Sequence, residues 1–284
     1  MSPGMENNMR RMIFTFAGRA SALPAILILL TIHLWTNCYA EESVTVCILD
    51  SGCSEDHAAG ESFLGDSDDL TDTIGHGTDI CSLVRNGAPD ANVVMLKCFD
   101  TQDTVNEDAI ISALYAAVDT YHADVINMSW TLADESDALH EAILHAHDQG
   151  AVLVACTGNL SLSTGLGTIA YPAAWDEVIG IAGVNLNEEG EPQTSLWYLY
   201  GEAVDFCARG DCGDEKGSSY SAARVSGLIA AALQDGIESS MITEHLAAMA
   251  QDMGEPGYDG RYGWGYLEIE GALFEDKAAP SFEK

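Results

Sequence analysis

Short apolar segments alternate with helix-forming segments along most of this chain, and that alternation constrains the fold more than any other feature. The apolar segments are typical of buried strands; they are Val44–Leu49, Val93–Cys98, Val125–Met128, Val152–Ala155, Val178–Ala182 and Ala203–Phe206. Between them, Glu107–Tyr121 and Asp134–Gln149 carry apolar residues at helical spacing. This order predicts an α/β fold with a mostly parallel sheet and helices on both faces.

Two more helices are predicted towards the end of the chain, at Ser219–Gln234 and Met241–Met253. No Pro-rich or Ser-rich linker and no internal repeat interrupts residues 44–275. We therefore expect one domain over residues 41–284.

The charge balance excludes some classes of protein. There are 11 Lys and Arg residues against 45 Asp and Glu residues, a formal net charge of −34. Because 47% of the residues are hydrophobic and only 20% are charged, this is not a disordered acidic chain. Nucleic acid and anionic membrane surfaces are disfavoured as partners, since their phosphates would meet a negative surface.

Residues 1–40 have the pattern of an export leader. Three arginines precede the apolar run of residues 22–35, and Cys38-Tyr39-Ala40 offers a cleavage site. The run is shorter than the ~20 apolar residues that a spanning helix needs. We expect a cleaved signal peptide and a secreted or extracytoplasmic protein; the alternative is a membrane tether formed by residues 22–35.

Seven cysteines follow residue 40, an odd number, so at least one cannot pair within the chain. Cys207 and Cys212 flank a short Gly-containing loop and are the easiest pair to close. Cys47, Cys98 and Cys156 lie in apolar runs, which is typical of buried thiols. The absence of any Cys-x-x-Cys disfavours a structural zinc site.

Two polar residues lie where a parallel sheet places its functional groups. Asp50 ends the first predicted strand, although an aspartate before a glycine is also common in turns. His76 lies between Gly75 and Gly77 at the start of a helical pattern. A single histidine in that position is more often a surface or core residue.

Two further residues have the chemistry to stabilise an oxyanion. Ser219 opens a helix that is apolar nearly all round, so its hydroxyl lies beside unpaired N–H groups and the positive end of the helix dipole. Asn159 follows a buried strand, where its side-chain amide can donate a hydrogen bond. The ordinary alternatives are a helix-capping serine and a turn asparagine.

Asp, His and Ser in this chain order are the arrangement found in subtilisin, and the chain resembles the subtilisin-like serine proteases. The motifs that carry the resemblance span most of residues 44–275; they are Ile48-Leu-Asp50-Ser-Gly52, Gly75-His76-Gly-Thr78, Asn127-Met-Ser129, Thr157-Gly-Asn159, Tyr171-Pro-Ala173, Gly217-Ser-Ser219-Tyr-Ser221 and Gly263-Trp-Gly265-Tyr.

The resemblance implies a three-layer subtilisin-like fold and an exported serine endopeptidase that acts through an acyl-enzyme. Ser219 would be the nucleophile, His76 its general base and then general acid, and Asp50 the residue that orients the imidazole. Asn159 and the backbone N–H of Ser219 would form the oxyanion hole.

The resemblance also implies a binding site for an extended peptide or protein substrate. Its expected residues lie at the ends of two predicted strands; they are Ser129, Trp130, Thr131, Thr157 and Gly158. We expect a monomer that needs no cofactor. Two rival functions remain open: a catalytically silent peptide binder, and a leader-cleaving or transpeptidating maturation enzyme.

Several positions depart from the family pattern. Ala223 and Arg224 stand where Pro and His are usual, Trp130 replaces a small or aliphatic residue, and only Asp211–Lys216 leads to Gly217. Nine residues separate Ala40 from Asp50, too few for a folded inhibitory module. We therefore expect folding without a propeptide in the same chain.

Calcium binding is the one metal call that the sequence raises. The loop before His76 holds four carboxylates that could supply oxygen ligands; they are Asp66, Asp68, Asp69 and Asp72. A solvated acidic loop without a metal is the favoured alternative in so acidic a chain.

Overall fold

The computed structural model describes residues 43–54, 59–101, 106–160 and 169–269. The predicted leader, residues 1–40, lies outside the described residues. The strands are β1 (Thr45–Asp50), β2 (Ala59–Ser62), β3 (Asn92–Lys97), β4 (Val125–Met128), β5 (Val152–Cys156), β6 (Ile179–Leu186), β7 (Pro192–Gln193), β8 (Phe206–Arg209), β9 (Asp211–Cys212) and β10 (Glu215–Lys216). The helices are α1 (His76–Gly87), α2 (Glu107–Asp119), α3 (Asp137–Asp148), α4 (Ser218–Gln234) and α5 (Ile242–Met249), with a short 3₁₀ turn at Ser239–Met241.

The main sheet is parallel except at one edge. Its strands run in the order β2-β3-β1-β4-β5-β6-β8, and the two-residue β7 pairs antiparallel with the end of β6. In the middle of the sheet Cys47 on β1 pairs with Val94 on β3 and with Ile126 on β4. Because the strands are parallel, the ends of β1, β4 and β5 meet at one edge of the sheet.

Alternating side chains along each strand feed two hydrophobic layers. Val46 and Ile48 pack into the layer under α1, α4 and α5. Cys47 and Leu49 pack into the layer under α2 and α3. The predicted three-layer α/β fold is thus confirmed.

Helix α4 is buried along most of its length, as its apolar pattern predicts. It crosses α1 at closest approach where Gly227 faces Gly87, and an added Cβ on Gly227 would lie only 2.8 Å from the carbonyl oxygen of Val84. Small residues therefore let the two helices pack backbone to backbone.

Two details of the sequence prediction were wrong. The last main strand begins at Phe206 and not at Ala203, because Val204 closes a turn onto Gly201 before pairing with β6 starts. Cys207 and Cys212 do not form a disulfide: both are buried thiols, and Cys207 Sγ donates to the Gly265 carbonyl at 3.6 Å.

None of the helices within the four described ranges is long and apolar enough to cross a membrane.

Candidate active site

Asp50 and His76 meet where β1 ends and α1 begins. Asp50 is fully buried, and its Oδ1 lies 2.8 Å from His76 Nδ1. The backbone N–H of Ser51 donates to the same oxygen at 2.7 Å. Gly77 makes the approach possible, because a Cβ at that position would lie 2.2 Å from the carbonyl oxygen of Gly52.

The charge around His76 favours its protonated form. Burial acts to lower the pKa of the imidazole, but the negative charge and hydrogen bond of Asp50 outweigh it, and Asp72 and Asp79 add to the effect. The His76 pKa therefore lies above its ordinary value. The Tyr220 ring packs beside the imidazole, with centroids 5.8 Å apart.

Ser219 is the second residue of α4 and interlocks with the end of β4. Its Oγ donates to the Ser129 carbonyl at 3.0 Å, and Ser129 Oγ lies 2.9 Å from the Ser219 carbonyl. Within the described residues no hydrogen bond joins Ser219 to His76. The hydroxyl is thus turned towards β4 in this structure.

Asn159 and Ser218 form a second polar group beside Ser219. Asn159 Oδ1 accepts from the backbone N–H of Ser218 at 3.0 Å and from its hydroxyl at 3.2 Å, while Gly158 N–H donates to Ser218 Oγ at 3.2 Å. With Oδ1 held in this way, the Nδ2 donor lies towards Gly217, whose added Cβ would be 3.4 Å away.

A buried thiol lies beneath the Ser219 hydroxyl. Cys156 Sγ is 3.9 Å from Ser219 Oγ and donates to the Trp130 carbonyl at 3.7 Å. Burial raises the pKa of this thiol to about 11, against weaker lowering by its hydrogen bonds to Ser219 and Ser218. At neutral pH it is a neutral group and not a competing nucleophile.

The five predicted substrate-binding residues are adjacent in space, but three have buried side chains. Ser129 is engaged with Ser219, and Thr157 Oγ1 donates to the Leu199 carbonyl at 3.1 Å. Trp130 packs into the core under α2 and α3. Gly158, at φ 103°, lies against Thr131 and Leu199. These segments therefore present mainly backbone.

The acidic loop before α1 does not gather its carboxylates around a shared cation. Asp66 and Asp69 accept hydrogen bonds from backbone N–H groups within the loop, and Asp72 is occupied by donors of the chain itself. In the part of the chain that the structure describes, no three His, Cys, Asp or Glu side chains converge as metal ligands. These residues do not fit a calcium ion bound in common.

The short connection into α4 is tied down by a residue whose role the sequence did not indicate. The strands β9 and β10 form a hairpin, and Arg224 on α4 donates through Nη2 to the Asp211 carbonyl at 2.7 Å and through Nε to the Arg209 carbonyl at 3.3 Å. Arg224 thus joins the buried helix to the hairpin that precedes Gly217.

Comparison with known proteins gives consistent matches over most of the chain. The subtilase family model matches residues 41–265. Subtilisin DY of Bacillus licheniformis is 28% identical over 260 residues, covering 82% of this chain and 92% of its own length. The major intracellular serine protease of Bacillus subtilis (strain 168) is 26% identical and covers 70% of each chain.

Other relatives are longer or more distant. The minor extracellular protease Epr of Bacillus subtilis (strain 168) is 24% identical, and the match spans 39% of its length. A crystal structure of a lanthipeptide protease matches the fold with a TM-score of 0.65 at 20% identity, covering 79% of this chain and 85% of the other.

The motif order, the α/β architecture and the family match therefore agree: the chain belongs to the subtilase family of subtilisin-like serine proteases and is a serine-type endopeptidase.

Proposed function

We propose that this subtilase is an exported endopeptidase whose catalytic triad is Asp50, His76 and Ser219. The observation that carries the proposal is the 2.8 Å contact between Asp50 Oδ1 and His76 Nδ1, made by a fully buried carboxylate. Such a contact sets the tautomer and orientation of the ring, and leaves Nε2 available as a base.

Ser219 supplies the nucleophile in this proposal. Its hydroxyl is bonded to the Ser129 carbonyl, and a rotation about its Cα–Cβ bond would redirect it towards His76. Nucleophile–base contacts are often loose without substrate and tighten when substrate binds. The interlocking of Ser129 with Ser219 holds the backbone of the nucleophile while the hydroxyl turns.

The chemistry then follows in two halves. Ser219 Oγ attacks the peptide carbonyl carbon as His76 Nε2 takes the hydroxyl proton. The C–N bond breaks, and the imidazolium gives that proton to the leaving amine. Water, deprotonated by His76, attacks the ester carbonyl; the new acid leaves and the proton returns to Ser219. Asp50 stabilises the imidazolium in both halves.

The oxyanion in each half is stabilised by Asn159 Nδ2 and by the backbone N–H of Ser219. Both donors lie at the start of α4, where helix N–H groups lack partners and the dipole is positive. The hold of Ser218 on Asn159 Oδ1 fixes which end of the amide faces the cleft. In subtilisin, loss of the corresponding asparagine costs about 10²–10³ in kcat.

An extended peptide or protein is the substrate, lying along the backbone of residues 129–131 and 157–158. This binding mode uses main-chain hydrogen bonds for affinity and leaves pocket shape to set specificity. Because the Trp130 side chain is buried in the core, we propose that it shapes the pocket wall from behind.

Export rests on the leader pattern of residues 1–40. The relatives include proteases named as extracellular and as intracellular, so location needs its own experiment. A fusion tag at the C-terminus, followed by fractionation and N-terminal sequencing, distinguishes a secreted product that begins near residue 41 from a protein tethered by residues 22–35.

The reaction is tested with the full chain and a peptide library in H₂¹⁸O, with and without an added amine. We expect products whose new carboxyl termini carry ¹⁸O, lost in Ser219→Ala and retained in Ser112→Ala, a matched change at an exposed serine of α2. Products capped by the amine alone would instead indicate a transpeptidase. No product from the wild type would contradict the proposal and favour a silent binder.

A further inference from the structure

Asp72 lies four residues before His76 and links three parts of the site. Its carboxylate accepts five hydrogen bonds of 2.7–3.0 Å from groups on both sides of the Asp50–His76 contact. The donors are Ser51 Oγ, the backbone N–H groups of Ile74, Gly75 and Thr78, and Thr78 Oγ1.

These bonds divide between the two carboxylate oxygens. Oδ1 accepts from Ser51, Ile74 and Gly75, whereas Oδ2 accepts both bonds from Thr78. One oxygen therefore holds the loop and the end of β1, and the other holds the first turn of α1. His76 lies on the backbone between Gly75 and Thr78.

Ser51 extends the link to the residue after His76. Its hydroxyl donates to Asp72 Oδ1 at 3.0 Å and accepts from the backbone N–H of Gly77 at 3.0 Å. Ser51 also follows Asp50 in the chain and is fully buried. The backbone that carries the carboxylate and the backbone that carries the imidazole are thus joined through one hydroxyl and one carboxylate.

Asp72 also supplies the cap that α1 lacks. Gly75 occupies the N-cap position and has no side chain to accept from the first turn. A carboxylate at a helix N-terminus satisfies unpaired N–H groups and complements the dipole. Although burial acts to raise the pKa of Asp72, hydrogen bonds from Thr78, Gly75 and Ser51 lower it overall, so the group is charged at neutral pH.

We propose that Asp72 is a positioning residue for the His76 imidazole, fixing the start of α1 against the end of β1 so that the ring keeps its contact with Asp50. The proposal rests on the proposed function, in which His76 is the general base. Asp72 acts through His76 and not on the substrate.

Asp72→Asn tests this because it keeps the size of the side chain but replaces one acceptor oxygen by an NH₂ donor. That donor must face either Thr78 or the Gly75 and Ser51 groups, all of which are donors, so one arm of the link is lost. A misplacement of the base by about 1 Å costs roughly 100-fold in rate. We expect kcat per folded active site to fall about 10–100-fold, with KM changed by no more than about threefold.

The matched control is Asp69→Asn, which removes the same charge from the same loop. Asp69 is exposed and accepts from the N–H of Thr71, away from His76. Its kcat should stay within about twofold of wild type. Ser51→Ala gives a second route to the same link: it should lower kcat as well, and combined with Asp72→Asn it should add less than its own separate effect.

A purely structural role would reduce the folded fraction and Tm and leave kcat per folded molecule unchanged. The measurements are therefore kcat and KM for a peptide substrate, with folded fraction by circular dichroism. If Asp72→Asn matches Asp69→Asn, or, should Asp72→Asn not fold, if Ser51→Ala keeps the wild-type kcat, the proposal is overturned. Cleavage that persists in Ser219→Ala would instead overturn the proposed function itself.

Discussion

Replacing Gly77 by alanine would place a methyl group between the two backbone segments that hold Asp50 and His76. The added Cβ would lie 2.2 Å from the Gly52 carbonyl oxygen and 3.1 Å from Asp50 Oδ1. Real Cβ atoms stay at least 3.0 Å from such atoms, so the segments must separate by at least about 0.8 Å. Gly77 is buried and both partners belong to the main chain and core, so no flexible side chain can yield.

A separation of that size opens the 2.8 Å contact between Asp50 and His76. We expect Gly77→Ala to lower kcat/KM about 100-fold, since a displacement near 1 Å in a catalytic group has that effect. Strain from overpacking should also reduce the free energy of unfolding by about 1–3 kcal/mol. Both follow from one steric overlap and are measured by peptide hydrolysis and by urea unfolding of the same preparation.

Gly65→Ala is the control, because a Cβ at that position meets nothing within 4 Å and the residue is not in the left-handed region. It should leave kcat/KM unchanged and stabilise the chain by at most about 1 kcal/mol. Wild-type kcat/KM and stability in Gly77→Ala would refute the reasoning, because the Asp50–His76 geometry would then tolerate the displacement that the overlap demands.

Two further predictions concern proton transfer and the hairpin before α4. Because His76 must be neutral to act as a base and its pKa is raised, kcat/KM should fall with decreasing pH through a midpoint above the ordinary 6.5; Asp50→Asn should move that midpoint down, and an unmoved midpoint would contradict the pairing. Arg224→Ala should reduce the free energy of unfolding by about 1–3 kcal/mol, since it leaves the carbonyls of Arg209 and Asp211 without their donor; an unchanged urea midpoint would show that the hairpin is held by other contacts.

The strands and helices were largely predictable because burial imposes periodic patterns on the sequence. Val125–Met128 was predicted with the bounds that the structure gives, and α2 and α4 agree to within two residues of theirs. The strand at Phe206 was misplaced because Ala203 and Val204 lie in a turn before the ladder begins, and apolar character alone does not report backbone pairing.

The site was predictable in its residue types but not in its geometry. The ends of parallel strands indicate where Asp50 and Asn159 lie, whereas no pattern reports the rotamer of Ser219 or the burial of Thr157. Asp72 was read as one acid among many in a loop. Its role depends on hydrogen bonds to backbone N–H groups, and those are determined by the loop conformation and not by residue identity.

The measurement that tests the central claim most directly is covalent labelling with a fluorophosphonate probe, followed by peptide mapping of the adduct. The full chain should carry one adduct, on Ser219, and Ser219→Ala should carry none while Ser112→Ala labels as the wild type does. Asp50→Asn and His76→Ala should label far more slowly, because the serine would lack its base. Folded protein that does not label, or labelling that persists in Ser219→Ala, would contradict the assignment of Ser219 as the nucleophile.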